Sequence, residues 1–174
     1  QYTKEDDIVF GITVSGRAID LPGIETMLGL FINTIPLRVN FNESEDSFIG
    51  FLKGLQMQTP EVEEYSYLSL AKIQKCSDLS NAKVLFNTIL VFENYPTKTF
   101  QSQELSIERL DGLSKGEYPL GLSIVPSDCL LFKFDYSSEK FDITGIKQIA
   151  KHFNQVLLFL IEEANKEEIY YEPL

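Results

Sequence analysis

The sequence predicts an α/β (α+β) fold, a mixed β-sheet with helices packed on it. Three observations predict it: two rows of period-two alternation in the first quarter of the chain, a short central run apolar on both faces, and a long period-3.6 stripe near the C-terminus. Strands interleaved with helices cannot bury their apolar faces except in layers, and a sheet covered by helices is the economical arrangement.

In chain order, Ile8, Phe10, Ile12 and Val14 form the first alternating row, and Ile35, Leu37, Val39 and Phe41 the second. Between Asp46 and Gln58 the apolar residues Phe48, Phe51, Leu52 and Leu55 recur at steps of three and four. They follow Ser44-Glu45-Asp46-Ser47, a stretch rich in N-capping side chains, and so read as a helix. The run Phe86 to Phe92 is apolar on both faces through Ile89, Leu90 and Val91, as a central strand covered on two sides must be. Leu120, Leu122 and Ile124, then Leu130, Phe132, Phe134 and Tyr136, flank Pro126-Ser127-Asp128, which predicts a hairpin. From Ile143 onward, Ile146, Ile149, Ala150, Phe153, Val156, Leu157, Leu160, Ile161 and Ala164 mark one face of a helix about 33 Å long. Leu158 and Phe159 fall outside that face, so either a second layer of this chain covers them, which is the expectation, or a part of the protein outside this sequence does. Between Pro96 and Tyr118 the pattern fades, and the residues alone read as a mobile surface loop.

The chain of 174 residues suits one domain, and its 44% hydrophobic and 24% charged content is that of a globular protein. No internal repeat or low-complexity segment is present. Fifteen basic against 26 acidic side chains give a formal charge of −11, which repels phosphate backbones and anionic lipids. Nucleic acid and membrane are therefore excluded as partners. The apolar run Val156 to Ile161 is far too short to span a bilayer. Gln1-Tyr2-Thr3-Lys4-Glu5-Asp6-Asp7 has no secretory character, so a cytoplasmic location is expected. The start just before a strand reads as excision from a longer chain. Cys76 and Cys129 have no metal-ligand spacing and are expected to be reduced, structural thiols, with no metal bound.

Three segments carry a family resemblance. Ser15-Gly16-Arg17, then Leu21-Pro22-Gly23-Ile24-Glu25, then Gly29-Leu30-Phe31-Ile32-Asn33-Thr34-Ile35-Pro36-Leu37-Arg38 resemble the fifth conserved motif region of nonribosomal peptide synthetase condensation domains. Leu85-Phe86-Asn87-Thr88-Ile89-Leu90-Val91-Phe92-Glu93-Asn94-Tyr95-Pro96 and Glu117-Tyr118-Pro119-Leu120 resemble two further stretches, in the same order and spacing. The segments Glu64 to Leu70 and Asp78 to Leu85 match the sixth and seventh motifs only loosely, which leaves the subtype open.

The resemblance implies a chloramphenicol-acetyltransferase-like fold of two halves facing across a cleft, of which this chain is the C-terminal half. It implies as partners the N-terminal half, donor and acceptor peptidyl carrier proteins and an adjacent adenylation domain. The carriers present the phosphopantetheine arms, so no cofactor is expected to be bound here. The family's His-His-x-x-x-Asp-Gly motif is not in this sequence, whose single histidine is His152. No catalytic residue is therefore assigned to this chain, and it is expected to be inactive alone. The alternative is a non-catalytic module that binds carriers or other proteins.

The resemblance places Asn33 and Thr34 near the reaction centre, with Asn33 positioned to hydrogen-bond reacting groups or pantetheine arms. The residues alone read Asn33 as a left-handed cap after a helix, with Thr34 opening a strand; the two roles are compatible. Ser15, Gly16 and Arg17 resemble the loop that crosses under the family's tunnel, where Arg17 could pair with a carboxylate of the other half; considered alone, it is an exposed arginine in a turn. Residues 97–116 resemble the family's latch. His152, at the flank of its helical stripe, reads as a partly exposed helix residue rather than the base of a free-standing acyltransferase. Ser15, Ser66 and Ser69 lie in no Gly-x-Ser-x-Gly elbow, which argues against a serine hydrolase. The acidic clusters at Glu61, Glu63 and Glu64 and at Glu162, Glu163, Glu167 and Glu168 read as solvated faces.

Overall fold

A computed structural model describes residues 4–17, 21–41, 47–77, 84–93, 116–126 and 129–168. Its elements are β1 (Asp7–Val14), a 3-10 turn (Ile24–Thr26), β2 (Asn33–Asn40), α1 (Phe48–Glu64), α2 (Leu70–Cys76), β3 (Thr88–Phe92), β4 (Leu120–Pro126), β5 (Leu130–Tyr136) and α3 (Ile143–Glu168). The strands form one sheet in the order β2-β1-β3-β4-β5. The β1–β2 and β4–β5 pairs are antiparallel, whereas β1–β3 and β3–β4 are parallel, so the sheet is mixed as the sequence predicts.

Register explains why the alternating rows are visible in the sequence. Ile12 pairs with Ile35, Phe10 with Leu37 and Ile8 with Val39; Ile12 also pairs with Leu90, Leu90 with Leu122, and Leu122 with Phe134. Directly opposed residues share a face, so every row falls on one side of the sheet. That side carries the helices: Phe132 and Phe134 meet Phe153 of α3 edge-on at 5.2 and 6.0 Å. Ile35, Leu37, Val39 and Ile146 are buried in this layer. Phe41 follows β2 rather than ending it and is exposed, with its ring 5.4 Å from Phe51 of α1.

The opposite face is built around β3, which lies centrally and is apolar on both sides. Here Gly11 of β1 leaves room for the buried Phe86, because a Cβ on Gly11 would stand 2.3 Å from the ring. Phe86 in turn stacks on Tyr118 at 5.4 Å.

Helix α1 starts at Ser47, whose hydroxyl accepts from Gly50 N at 2.9 Å. It runs to Glu64, six residues beyond the expected end, and passes through Pro60. The proline removes one amide donor, yet the helix continues past it to Glu64. Helix α2 was not foreseen, since seven residues give too few turns for a stripe. Helix α3 is capped by Asp142, whose carboxylate accepts from Gly145 N at 2.6 Å. Leu158 and Phe159 stay exposed, which corrects the expectation of a covering second layer: no described residue buries them. His152 is half-buried on α3. The two cysteines form no disulfide, and both are exposed. Among the described residues no helix is long and apolar enough to cross a membrane, and no side-chain cluster could hold a metal ion. The latch-like stretch lies outside the described residues except for Gly116.

At the open edge of the sheet Arg38 of β2 grips both carboxylate oxygens of Asp7 of β1, Nε to Oδ1 at 2.8 Å and Nη2 to Oδ2 at 2.7 Å. The hydrogen bonds from Arg38 hold the Asp7 carboxyl below its ordinary value. A lowered folded-state value means that the pair stabilises the fold above the unfolded-state titration, and that this is lost as pH falls through the folded one. Both groups are exposed, so the effect is small and salt-sensitive. An NMR titration of the Asp7 carboxyl should show its midpoint rising towards that of a free aspartate in Arg38→Gln. An unchanged midpoint would refute the pairing.

Candidate functional site

Adjacent parallel strands end together, and in open sheets with crossover connections the crevice at their carboxyl ends is where ligands sit. The parallel pair β1 and β3 opens such a cleft, of about 380 Å³. Its walls are Thr13, Val14, Ser15 and Arg17 from the end of β1, the segment Gly29–Ile32 leading to β2, and Val91 and Phe92 from the end of β3. Two of the anticipated residues, Ser15 and Arg17, thus line one cleft.

The turn at the end of β1 depends on Gly16. It has φ of 65°, a left-handed conformation that glycine adopts without strain. It is also pressed against the next segment, since a Cβ there would lie 1.9 Å from the carbonyl oxygen of Phe31. This close approach brings the chain after β1 against the strip that leads into β2.

Arg17 fastens the same two segments. Its guanidinium donates from Nη1 to the Ile24 carbonyl and from Nη2 to the Met27 carbonyl at 3.0 Å, and it lies 4.2 Å from the centre of the Phe31 ring. A planar fork with several donors and an aromatic neighbour suits this task in a way that a lysine does not. Arg17 is therefore half-buried and engaged within the chain, rather than the exposed arginine of a turn. The Ser15 hydroxyl accepts from Arg17 N at 3.3 Å.

Asn33 and Thr34 are not among the residues lining the cleft. They open β2 and pair across the sheet with Val14 and Thr13, which do line it. The expectation of a left-handed cap is corrected: Asn33 begins an extended strand, no helix ends at Ile32, and among the described residues other than glycine only Lys4 has positive φ. Its side chain instead joins β2 to the α1–α2 turn. Nδ2 donates to the carbonyls of Ser66 at 2.6 Å and Leu68 at 2.9 Å, while Oδ1 accepts from Thr34 N at 2.9 Å. Ser66 is buried there, and its hydroxyl has no partner among the described residues.

Thr13, Phe31, Val91 and Phe92 were not anticipated as site residues. Finding them requires the parallel pairing of β1 with β3, which joins residues 78 apart, Gly11 with Ile89 and Ile12 with Leu90, and leaves no local pattern. Chemically the lining offers two hydroxyls, apolar surface and a guanidinium already engaged. Among the described lining residues there is no carboxylate, imidazole or thiol.

A family model for the condensation domain matches residues 1–172. The chain is 39% identical over 168 residues to a linear gramicidin synthase of Brevibacillus parabrevis, covering 95% of this chain and 3% of that protein. It is 34% identical over 171 residues to surfactin synthase subunit 3 of Bacillus subtilis, covering 95% of this chain and 13% of that one. Among solved structures it resembles the first condensation domain of the calcium-dependent antibiotic synthetase, in complex with a substrate analogue. The TM-score is 0.65 and the identity 17%, over 91% of this chain and 35% of that one, which is a likeness of fold. The chain belongs to the condensation-domain family. It spans only a small part of the length of these synthases.

Proposed function

We propose that this chain is the C-terminal half of a condensation domain and forms one wall of the chamber in which a peptide synthetase makes amide bonds. A donor carrier protein presents an acyl or aminoacyl thioester on its phosphopantetheine arm, and an acceptor carrier presents an aminoacyl group with a free amine. The amine nitrogen attacks the thioester carbon, the C–N bond forms as the C–S bond breaks, and the amine proton passes by way of a base to the departing thiolate. The lengthened chain stays on the acceptor carrier.

The observation that carries this reading is the make-up of the cleft at the carboxyl ends of β1 and β3. It has surface to guide an extended arm, hydroxyls at Thr13 and Ser15, and no base among its described lining residues, while the chain's one histidine, His152, lies on α3 and not in the cleft. The base then comes from the N-terminal half with its His-His-x-x-x-Asp-Gly motif. The adjacent adenylation domain supplies activated amino acids to the carriers, and a cytoplasmic location belongs to the same proposal.

The test mixes this chain with a separately produced N-terminal half and two aminoacyl-loaded carriers, and follows the dipeptidyl carrier by intact-protein mass spectrometry. Product is expected only when both halves are present, and His152→Ala should leave its rate unchanged. Turnover by this chain alone would overturn the assignment, and carrier binding without turnover in the full mixture would favour a non-catalytic docking module.

A further inference from the structure

A second concavity lies where β2 meets the α1–α2 corner and shares no lining residue with the cleft. It encloses about 420 Å³, room for one or two large side chains, and its wall is almost wholly apolar, with Ile35, Val62, Leu68 and Ile73 contributing. The clasp from Asn33 to Ser66 and Leu68 holds one side of it in shape. Glu61 is the single charged residue among the described lining residues, and Tyr65 beside it is more than half exposed.

The charge around this groove is placed against the local electrostatics. Glu61, Glu63 and Glu64 crowd the last turn of α1, which has no basic residue, so three carboxylates face the negative end of a helix. None of the three is in an ion pair among the described residues. On the other flank, the exposed Lys72 and Lys75 of α2 do not line the groove.

We propose that this groove docks a cationic amphipathic peptide segment of a partner protein. An aliphatic side chain of the segment fills the concavity, and a lysine or arginine lies over Tyr65 between Glu61 and Glu64. Charge complementarity selects this occupant: a chain of formal charge −11 repels anionic lipids and acidic proteins, and the carboxylate rim sits where a helix end alone would disfavour it. Pro36, which also lines the groove, removes an amide donor from β2 at that point, so the segment is held by its side chains rather than by added strand pairing.

The test uses a fluorescein-labelled Leu/Lys amphipathic peptide with the full chain, read by anisotropy, and a Gly/Lys peptide of equal charge as the comparison. Reversing the rim with Glu61→Lys and Glu64→Lys should weaken Leu/Lys binding by about tenfold or more. The same change of net charge made elsewhere, with Glu139→Lys and Glu162→Lys, should alter it by less than about twofold. Ile73→Ser should also weaken it while the circular dichroism spectrum stays unchanged. Equal loss in the two charge-reversed variants, equal binding of the Gly/Lys peptide, or no binding of the Leu/Lys peptide would each overturn the proposal.

Discussion

Asn33→Asp is expected to destabilise the fold by about 3–5 kcal/mol at neutral pH, more than Asn33→Ala does. The amide Nδ2 donates to two carbonyls, those of Ser66 at 2.6 Å and Leu68 at 2.9 Å. Alanine removes both bonds and leaves two acceptors short of a donor, at a cost of about 2–3 kcal/mol. Aspartate keeps the bond from Thr34 N but loses the two donated ones, and points a carboxylate oxygen at two carbonyl oxygens. Ser66 is only 2% exposed, so its turn cannot easily rotate to reach water.

The pH dependence then separates repulsion from simple loss. In the variant the neutral carboxylic acid can donate one bond that the carboxylate cannot, so the folded state favours the protonated form and raises its titration above the unfolded value. The penalty is therefore full above the folded-state midpoint and shrinks as pH falls below it. Urea denaturation of both variants at pH 7 and pH 4 checks this. Aspartate no worse than alanine at pH 7, or a gap that fails to narrow at pH 4, would remove the clasp from the account of this corner.

The same residue shows where sequence reading succeeds and where it stops. Ile35, Leu37 and Val39 were legible because a strand with one buried face writes its burial at period two, and α3 was legible because Ile146, Ile149 and Phe153 repeat at helical spacing. The doubly apolar β3 likewise announced a central strand, and that is its place. Asn33 could not be read this way. Its acceptors lie 33 and 35 residues further along, and an asparagine before a strand looks the same whether it caps a turn or clasps a distant one. Arg17 is a similar case, since its carbonyl partners are backbone atoms that carry no residue identity. Helix α1 runs past its predicted end and through Pro60, although proline is among the worst residues for a helix interior, so local propensity does not set where it stops. Leu158 and Phe159 mark the opposite limit: composition shows that they are apolar but not that the described chain leaves them uncovered.

Gly16→Ala should have an effect of comparable size, and a control within the same loop isolates its cause. Two costs add. The left-handed backbone at φ 65° penalises any residue with a Cβ by about 1–2 kcal/mol. The new methyl would also stand 1.9 Å from the carbonyl oxygen of Phe31, a backbone atom that cannot yield by changing rotamer. Relieving that overlap means moving the strip before β2, which adds about 1–3 kcal/mol as overpacking does elsewhere. The total is about 2–5 kcal/mol. Gly23 provides the control, because it too has positive φ, 83°, yet a Cβ there meets nothing within 4 Å. Gly23→Ala should therefore show the conformational part alone, and the difference between the two variants in urea denaturation measures the contact. A smaller difference than about 1 kcal/mol would mean that the strip gives way without strain. If it holds, displacing Phe31 also draws its ring from the Arg17 guanidinium and loosens the wall shared by Ser15 and Arg17. The cleft then depends on a glycine that is not among its lining residues, because the left-handed turn at Gly16 is what lets the end of β1 lie against the approach to β2.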